Sequence, residues 1–407
     1  MDITSFDVNG LKVCLCGTEK FNSTSVCLVY RTELKRENVS PYALLPKILS
    51  RASSRHSSLR SVNAYLEEMG GAKFIAQPIK KGNEQIIAFY ITAPKEYSGR
   101  LFEFLSDTIY RPLLSDGGFM PSFVHSACSV AAKEIADKIN NKKSYAAEKM
   151  IELMCKDETF GICSDGYIED FGDISGRGLY DAYSRLLTEG IAEMYIAGDI
   201  SQNEAQSYIS NCFDTFAKGN PISQDNSRNS PQPPKYYTES AETAQSVLTI
   251  GIRTDKADYA KLKLCNEILG GSASSRLFKK IREKNSLCYY INSSLFRYKG
   301  IISVQAGIES SAAEKVVDAV NEEINSLAKR GAPKKELELA KDNLLSAYKT
   351  IEDYPQRLLD YMLSLSVAGK EYSLTNEAEA IRNTEDIGGA LEGAYADTIY
   401  LLKEGGK

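Results

Sequence analysis

The chain has 407 residues, 43% hydrophobic and 25% charged, an ordinary globular balance spread over a length that suits two domains of roughly 200 residues rather than one. A net charge of -5 and a pI near 5.5 exclude a general nucleic-acid binder, which needs a basic face. No apolar run approaches the roughly 18 residues of a membrane span, and the first residues lack the basic and apolar regions of a signal peptide, so the sequence predicts a cytoplasmic chain.

Residues 11–16 and 25–32 read as strands, the second rich in β-branched and aromatic residues. Residues 41–51 predict a helix with apolar side chains at helical spacing. A second helix over 61–69 is stopped by Gly70-Gly71. A strand at 85–92 is broken by Pro94, and a helix follows to Ile109. Further helix leads to a strand at 192–197, which ends in Gly198-Asp199. Residues 219–234 are dominated by Gly, Asn, Ser, Gln and Pro and cannot build a core, so they predict a linker.

The second half then repeats the first. Residues 26–32 resemble 248–254, residues 47–54 resemble 267–274, and residues 85–91 fall on 301–306 at almost the same offset. In each copy the last of these strands is followed by an amphipathic helix. In the second, Ala313, Val316, Val317, Val320, Ile324 and Leu327 share one face. The common order and near-constant offset predict two tandem copies of one α+β unit.

Nine cysteines at scattered spacings, with no Cys-x-x-Cys pair, predict reduced and mostly buried thiols; Cys14 and Cys16 share a strand face. The sequons at Asn22, Asn38 and Asn292 carry no meaning in a cytosolic protein. The two histidines have no partner at ligand spacing. His56, among serines, predicts a solvated loop residue, and His125 a packed or half-exposed helix residue.

Residues 269–289, Leu-Gly-Gly-Ser-Ala-Ser-Ser-Arg-Leu-Phe-Lys-Lys-Ile-Arg-Glu-Lys-Asn-Ser-Leu-Cys-Tyr, resemble the C-terminal domain of the insulinase-like M16 zinc peptidases. There a helix beginning Ser-Ser-Arg-Leu-Phe leads through an Arg-Glu-Lys run into a Leu-x-Tyr strand. The Glu-Ala-Ile-Arg-Asn-Thr-Glu-Asp-Ile run at 379–387 and the strand end at 192–201, with Gly198-Asp199, are similar to two further family segments, so the resemblance spans nearly the whole chain. The length suits the smaller bacterial members. The resemblance implies an α+β fold of two tandem homologous domains, M16/LuxS-metallohydrolase-like. Each would be a mostly antiparallel sheet with helices packed on one face, and together they would form half of a clamshell. The N-terminal domain would be 1–218, the polar linker 219–238 and the C-terminal domain 239–407.

Active members carry His-x-x-Glu-His on the first helix of the N-terminal half. Residues four apart share a helix face, so two imidazoles grip one zinc while the glutamate takes a proton from bound water. Counted back from Gly70-Gly71, the motif's place falls on 43–47, where Ala43, Pro46 and Lys47 replace two ligands and a base. The third-ligand position falls on Glu134. The resemblance therefore implies that this chain binds no zinc by itself.

The family's C-terminal half contributes an arginine and, seven residues on, a tyrosine that reach the substrate near the scissile carbonyl. The matching pair is Arg282 and Tyr289, two donors able to steady an oxyanion. In paired-subunit members one chain brings zinc and its partner brings Arg/Tyr. The resemblance thus implies a heterodimer with a zinc-bearing M16 homologue and a peptide or small-protein substrate, the peptide adding a strand to a sheet edge. The alternatives are a non-cleaving scaffold or peptide-binding protein, and an inactive homodimer. No phosphate-loop motif is present, residues 270–274 lack the last glycine of a serine-hydrolase elbow, and 176–178 alone make no dinucleotide fingerprint. The Glu/Lys run at 334–341 predicts a solvated helix face.

Overall fold

The computed structural model describes residues 2–222, 232–254 and 258–405. The chain forms two compact units. The first comprises Met1–Ala136, Ile162–Asp225 and Thr350–Leu374; the second comprises Asp137–Gly161, Asn226–Lys349 and Thr375–Lys407.

The first unit contains β1 (Thr4–Val8), β2 (Leu11–Gly17), β3 (Ser23–Glu33), β4 (Lys73–Lys81), β5 (Glu84–Pro94), the short hairpin β6 (Leu114–Ser115) and β7 (Gly118–Phe119), and β8 (Ile191–Gly198). Its main sheet has the order β1-β2-β8-β3-β5-β4. The second unit contains β9 (Lys235–Ala241), β10 (Ser246–Arg253), β11 (Tyr290–Phe296), β12 (Ile301–Ile308) and β13 (Tyr395–Glu404), in the order β11-β12-β10-β13-β9. From the opposite end, the first sheet runs β4-β5-β3-β8-β2, strand for strand the order of the second. Neighbours are antiparallel except at the last step, where β8–β2 and β13–β9 are both parallel. This shared topology is the repeat that the sequence offsets indicate. Residues 223–231 of the expected linker lie outside the described residues, and residues 235–238 at its end are already strand β9.

Each unit includes one segment from the other half of the sequence, and the exchange is reciprocal. In the second unit, the Lys142–Met154 helix packs on β10 and β13. Gly251 makes room for it: a Cβ there would lie 2.5 Å from the Met150 sulfur and 2.6 Å from the Met154 sulfur. In the first unit, the Pro355–Val367 helix packs on β8 and β3. The other face of β3 meets the Ser98–Tyr110 helix, where the Tyr30 and Tyr110 hydroxyls lie 2.5 Å apart. With both faces covered, residues 24–31 of β3 are all buried, which is why the strand reads as an apolar run with little alternation.

An arginine at matched positions of the two central strands binds the incoming segment. Arg31 of β3 forks onto Glu84 at 2.7 and 3.0 Å, and also donates to Glu193 of β8 at 2.9 Å and to Ser366 of the incoming helix at 2.7 Å. Arg253 of β10 donates to Asp397 of β13 at 2.7 Å, to Glu158 of the incoming segment at 2.6 Å and to the Met154 carbonyl at 3.1 Å. Both arginines are buried. Burial alone would lower the pKa of Arg31, but bonding to Glu84 and the Glu193 charge outweigh it and raise the pKa. Burial likewise opposes the charge of Glu193, and Arg31 reverses that, holding the carboxyl below its usual range.

A second buried cluster lies in the second unit. Lys263 donates to the Tyr348 hydroxyl at 2.8 Å, and that hydroxyl donates to Glu377 at 2.9 Å; Arg297 also binds Glu377. One carboxylate thus faces two cations. Burial pushes Lys263 down to about 8. Its unfolded value is near 10.4, so between about pH 8 and 10.4 the native state sheds this proton first and gains stability as pH rises. Urea melts of wild type and Lys263→Met should therefore diverge in favour of wild type over that window. A difference independent of pH would mean that Lys263 keeps an ordinary pKa.

Among the described residues all nine cysteines are free thiols, five of them buried, and no helix is long and apolar enough to cross a membrane. The Lys334–Lys349 helix keeps Lys334, Lys335 and Glu338 exposed on one face. It buries Leu337, Ala340, Leu344 and the aliphatic stem of Lys341.

Candidate functional site

The Arg36–Leu49 helix positions Ala43, Pro46 and Lys47. Ala43 and Pro46 are buried and offer no metal donor. Lys47 bonds through its ammonium group to Glu134, on the Pro121–Asp137 helix. The two positions assigned to a second and a third ligand are therefore neighbours in space, and a lysine cation stands where a metal would need a neutral donor. This residue set does not fit zinc. Among the described residues no group of three or more His, Cys, Asp or Glu could hold a metal ion.

His56 differs from expectation. It is buried, with its ring 4.6 Å from that of Tyr65 and 6.4 Å from that of Phe104. The serines around it form a turn that folds it inward, where the Ser53 nitrogen donates to the His56 carbonyl at 2.8 Å. Burial lowers its pKa, so the ring stays neutral. His125 is exposed on its helix.

Arg282 and Tyr289 are both exposed and both lie in the second unit. Arg282 sits in a wide-turned helical segment, Phe278–Lys284, whose buried anchor is Ile281, so its neighbour faces outward. The guanidinium lies 4.5 Å from the centre of the Phe278 ring. A tight turn follows, with Ser286 at φ 52° and the Leu287 nitrogen bonded to the Ile281 carbonyl at 3.0 Å. Tyr289 immediately precedes β11, not within it as its sequence context suggests; its nitrogen donates to Gly307 at 2.8 Å. Its hydroxyl donates to Glu309 at 2.6 Å, and that bond raises its pKa, so the phenol remains a donor. The structure gives the two side chains separate partners and does not join them to each other.

Sequence reasoning assigned no role to Arg276 in the same segment. It is a pin, bonded to Glu336 at 2.8 Å and to the Gly331 carbonyl at 3.3 Å, and it fixes the helix that carries Arg282. The signal that could have found it is the acidic spacing of the Ala313–Arg330 and Lys334–Lys349 helices, too common to single out.

Two α+β units of matching strand order carry, in one, a helix with no metal donor at Ala43 or Pro46 and, in the other, an exposed Arg282 and Tyr289, with no three-residue metal-binding group among the described residues. Residues 173–344 match the family model of the peptidase M16 inactive domain. Over 97% of its length the chain is 27% identical to a protein of Bacillus subtilis named probable inactive metalloprotease YmfF, covering 96% of that protein. Among solved structures it is similar to a conserved protein from Enterococcus faecalis V583, at TM-score 0.88 and 20% identity with both chains fully covered. It is also similar to a peptidase M16 inactive domain from Pseudomonas fluorescens, at TM-score 0.75 and 15% identity, covering 100% of this chain and 99% of that one. The chain is a homologue of the M16 peptidases.

Proposed function

We propose that this chain is the non-zinc subunit of a heterodimeric M16-type peptidase of the cytoplasm. Its two tandem domains, 1–218 and 239–407, bind a peptide or small protein, and Arg282 and Tyr289 are presented to the zinc site of a partner homologue. The observation that carries this reading is an asymmetry. The zinc side of the chemistry is replaced by Ala43, Pro46 and a Lys47–Glu134 ion pair, while both donors of the other side remain exposed. The partner supplies the metal chemistry; this chain supplies two neutral-pH hydrogen-bond donors.

The second reading is a catalytically inactive scaffold or peptide-binding protein, favoured by the relative named a probable inactive metalloprotease. Mixing the chain with a zinc-bearing M16 homologue from the same cell separates the two. A fluorogenic peptide should be cut by the mixture and by neither chain alone. Equal cleavage by the zinc homologue alone, with no complex in light scattering, would leave the scaffold reading.

A further inference from the structure

Beside Tyr289 the second unit holds a pocket of about 600 Å³. Its walls include Asn140, Lys142, Lys143, Gln245, Tyr289 and Tyr290, and none of its ten lining residues is acidic. The site is rigid on two sides. The Gln305 amide donates to the Lys143 carbonyl at 2.8 Å and fixes the start of the Lys142–Met154 helix against β12. Gly307 lets the Tyr290 ring lie flat on β12, since a Cβ there would come 2.3 Å from that ring and 3.0 Å from the Gln245 amide.

Two features of this pocket call for an anion. Lys142 and Lys143 have no ion-pair partner among the described residues, and the Lys143 ammonium is held 3.7 Å from the centre of the Tyr290 ring. The Tyr290 hydroxyl is buried and has no hydrogen-bond partner among the described residues, so a donor is left over. The helix start adds its positive end to the same field. A carboxylate would answer both the charge and the spare hydroxyl, and the amides of Asn140 and Gln245 can orient it.

We propose that this pocket receives an acidic side chain of the peptide that passes Tyr289, so that this chain selects peptides carrying Asp or Glu at that point. This rests on the reading of Arg282 and Tyr289 as substrate-facing. The test uses the purified full chain without a zinc partner, and so is independent of turnover. Two fluorescein-labelled peptides, alike except for one Glu or Gln, are titrated and followed by anisotropy. The Glu peptide should bind roughly tenfold tighter, as expected for one charge-assisted contact. The preference should vanish in Lys142→Ala/Lys143→Ala and weaken several-fold in Tyr290→Phe, with circular dichroism showing that both variants fold. Equal binding of the two peptides, or a preference that survives the double variant, overturns the pocket while leaving peptide capture standing. Binding of neither peptide overturns both. Free glutarate should compete only weakly; if it binds as tightly as the Glu peptide, the pocket takes small anions and the peptide proposal fails.

Discussion

Arg31→Met will lower the stability of the chain by about 3–5 kcal/mol, more than Arg253→Met, whose partner Glu158 keeps Lys299 at 3.2 Å. The reason is the charge left behind. Arg31 is the cation bonded to both Glu84 and Glu193, two carboxylates that are almost fully buried. Without it Glu193 must stay charged and desolvated or take up a proton. A buried pair is a poor source of net stability when intact, because desolvation consumes most of the Coulomb gain, yet breaking one side exposes the full cost. Arg31→Lys should recover little, since an ammonium cannot match the two-pronged contact with Glu84. The pH dependence identifies the mechanism. In wild type Arg31 holds the Glu193 pKa below its usual range, so this term is present at neutral pH and is lost as pH falls through that lowered value. In the variant burial acts on Glu193 without the opposing Arg31 charge and raises its pKa, so acid relieves it. The stability gap between the two proteins should shrink from pH 7 to pH 5 in urea melts. A gap that is constant with pH, or below about 1 kcal/mol, would mean that the network contributes only packing.

These arginines also show what the sequence could reveal and what it could not. Their match is visible in the repeat, since Arg31 and Arg253 occupy the same place in segments 26–32 and 248–254. The central strands, the helices at 41–51 and 61–69, and the second amphipathic helix were legible because burial imposes a period on side chains. Strands β1, β4, β9 and β13 were not. Three of them lie at sheet edges, and β13 mixes apolar and charged residues, so their patterns resemble solvated loops. The reciprocal exchange of 137–161 and 350–374 was also invisible, because it depends on partners far away in the chain: Glu158 is an ordinary acidic residue until Arg253 is placed beside it. At the candidate site, the loss of metal ligands followed from residue identity alone, as Ala43 and Pro46 have no donor to offer. That Lys47 and Glu134 would pair needed the fold, since 87 residues separate them. His56 was misread because a run of serines suggests solvent, whereas here it builds the turn that buries the ring.

In the proposed heterodimer, reconstituted with a zinc-bearing homologue, Arg282→Ala combined with Tyr289→Phe is expected to cut kcat by about 10²–10³ and change KM little. In the proposed role both groups are donors that would gain most when charge develops on the scissile carbonyl oxygen, so their loss would be felt in the transition state more than in binding. The Tyr289 proton is now given to Glu309, and substrate must draw that hydroxyl away. Tyr289→Phe therefore removes a donor and also releases Glu309, and on the proposed role part of its effect would be a carboxylate left near the oxyanion. Glu309→Gln separates these contributions: it keeps an acceptor for the phenol but removes the repelling charge, so it should raise the residual rate of the Tyr289→Phe enzyme. Both sites are exposed, Tyr289 at 57%, so the substitutions should leave melting temperature and complex formation unchanged. Unchanged turnover in the double variant, with the complex intact, would remove Arg282 and Tyr289 from the chemistry and leave this chain a scaffold.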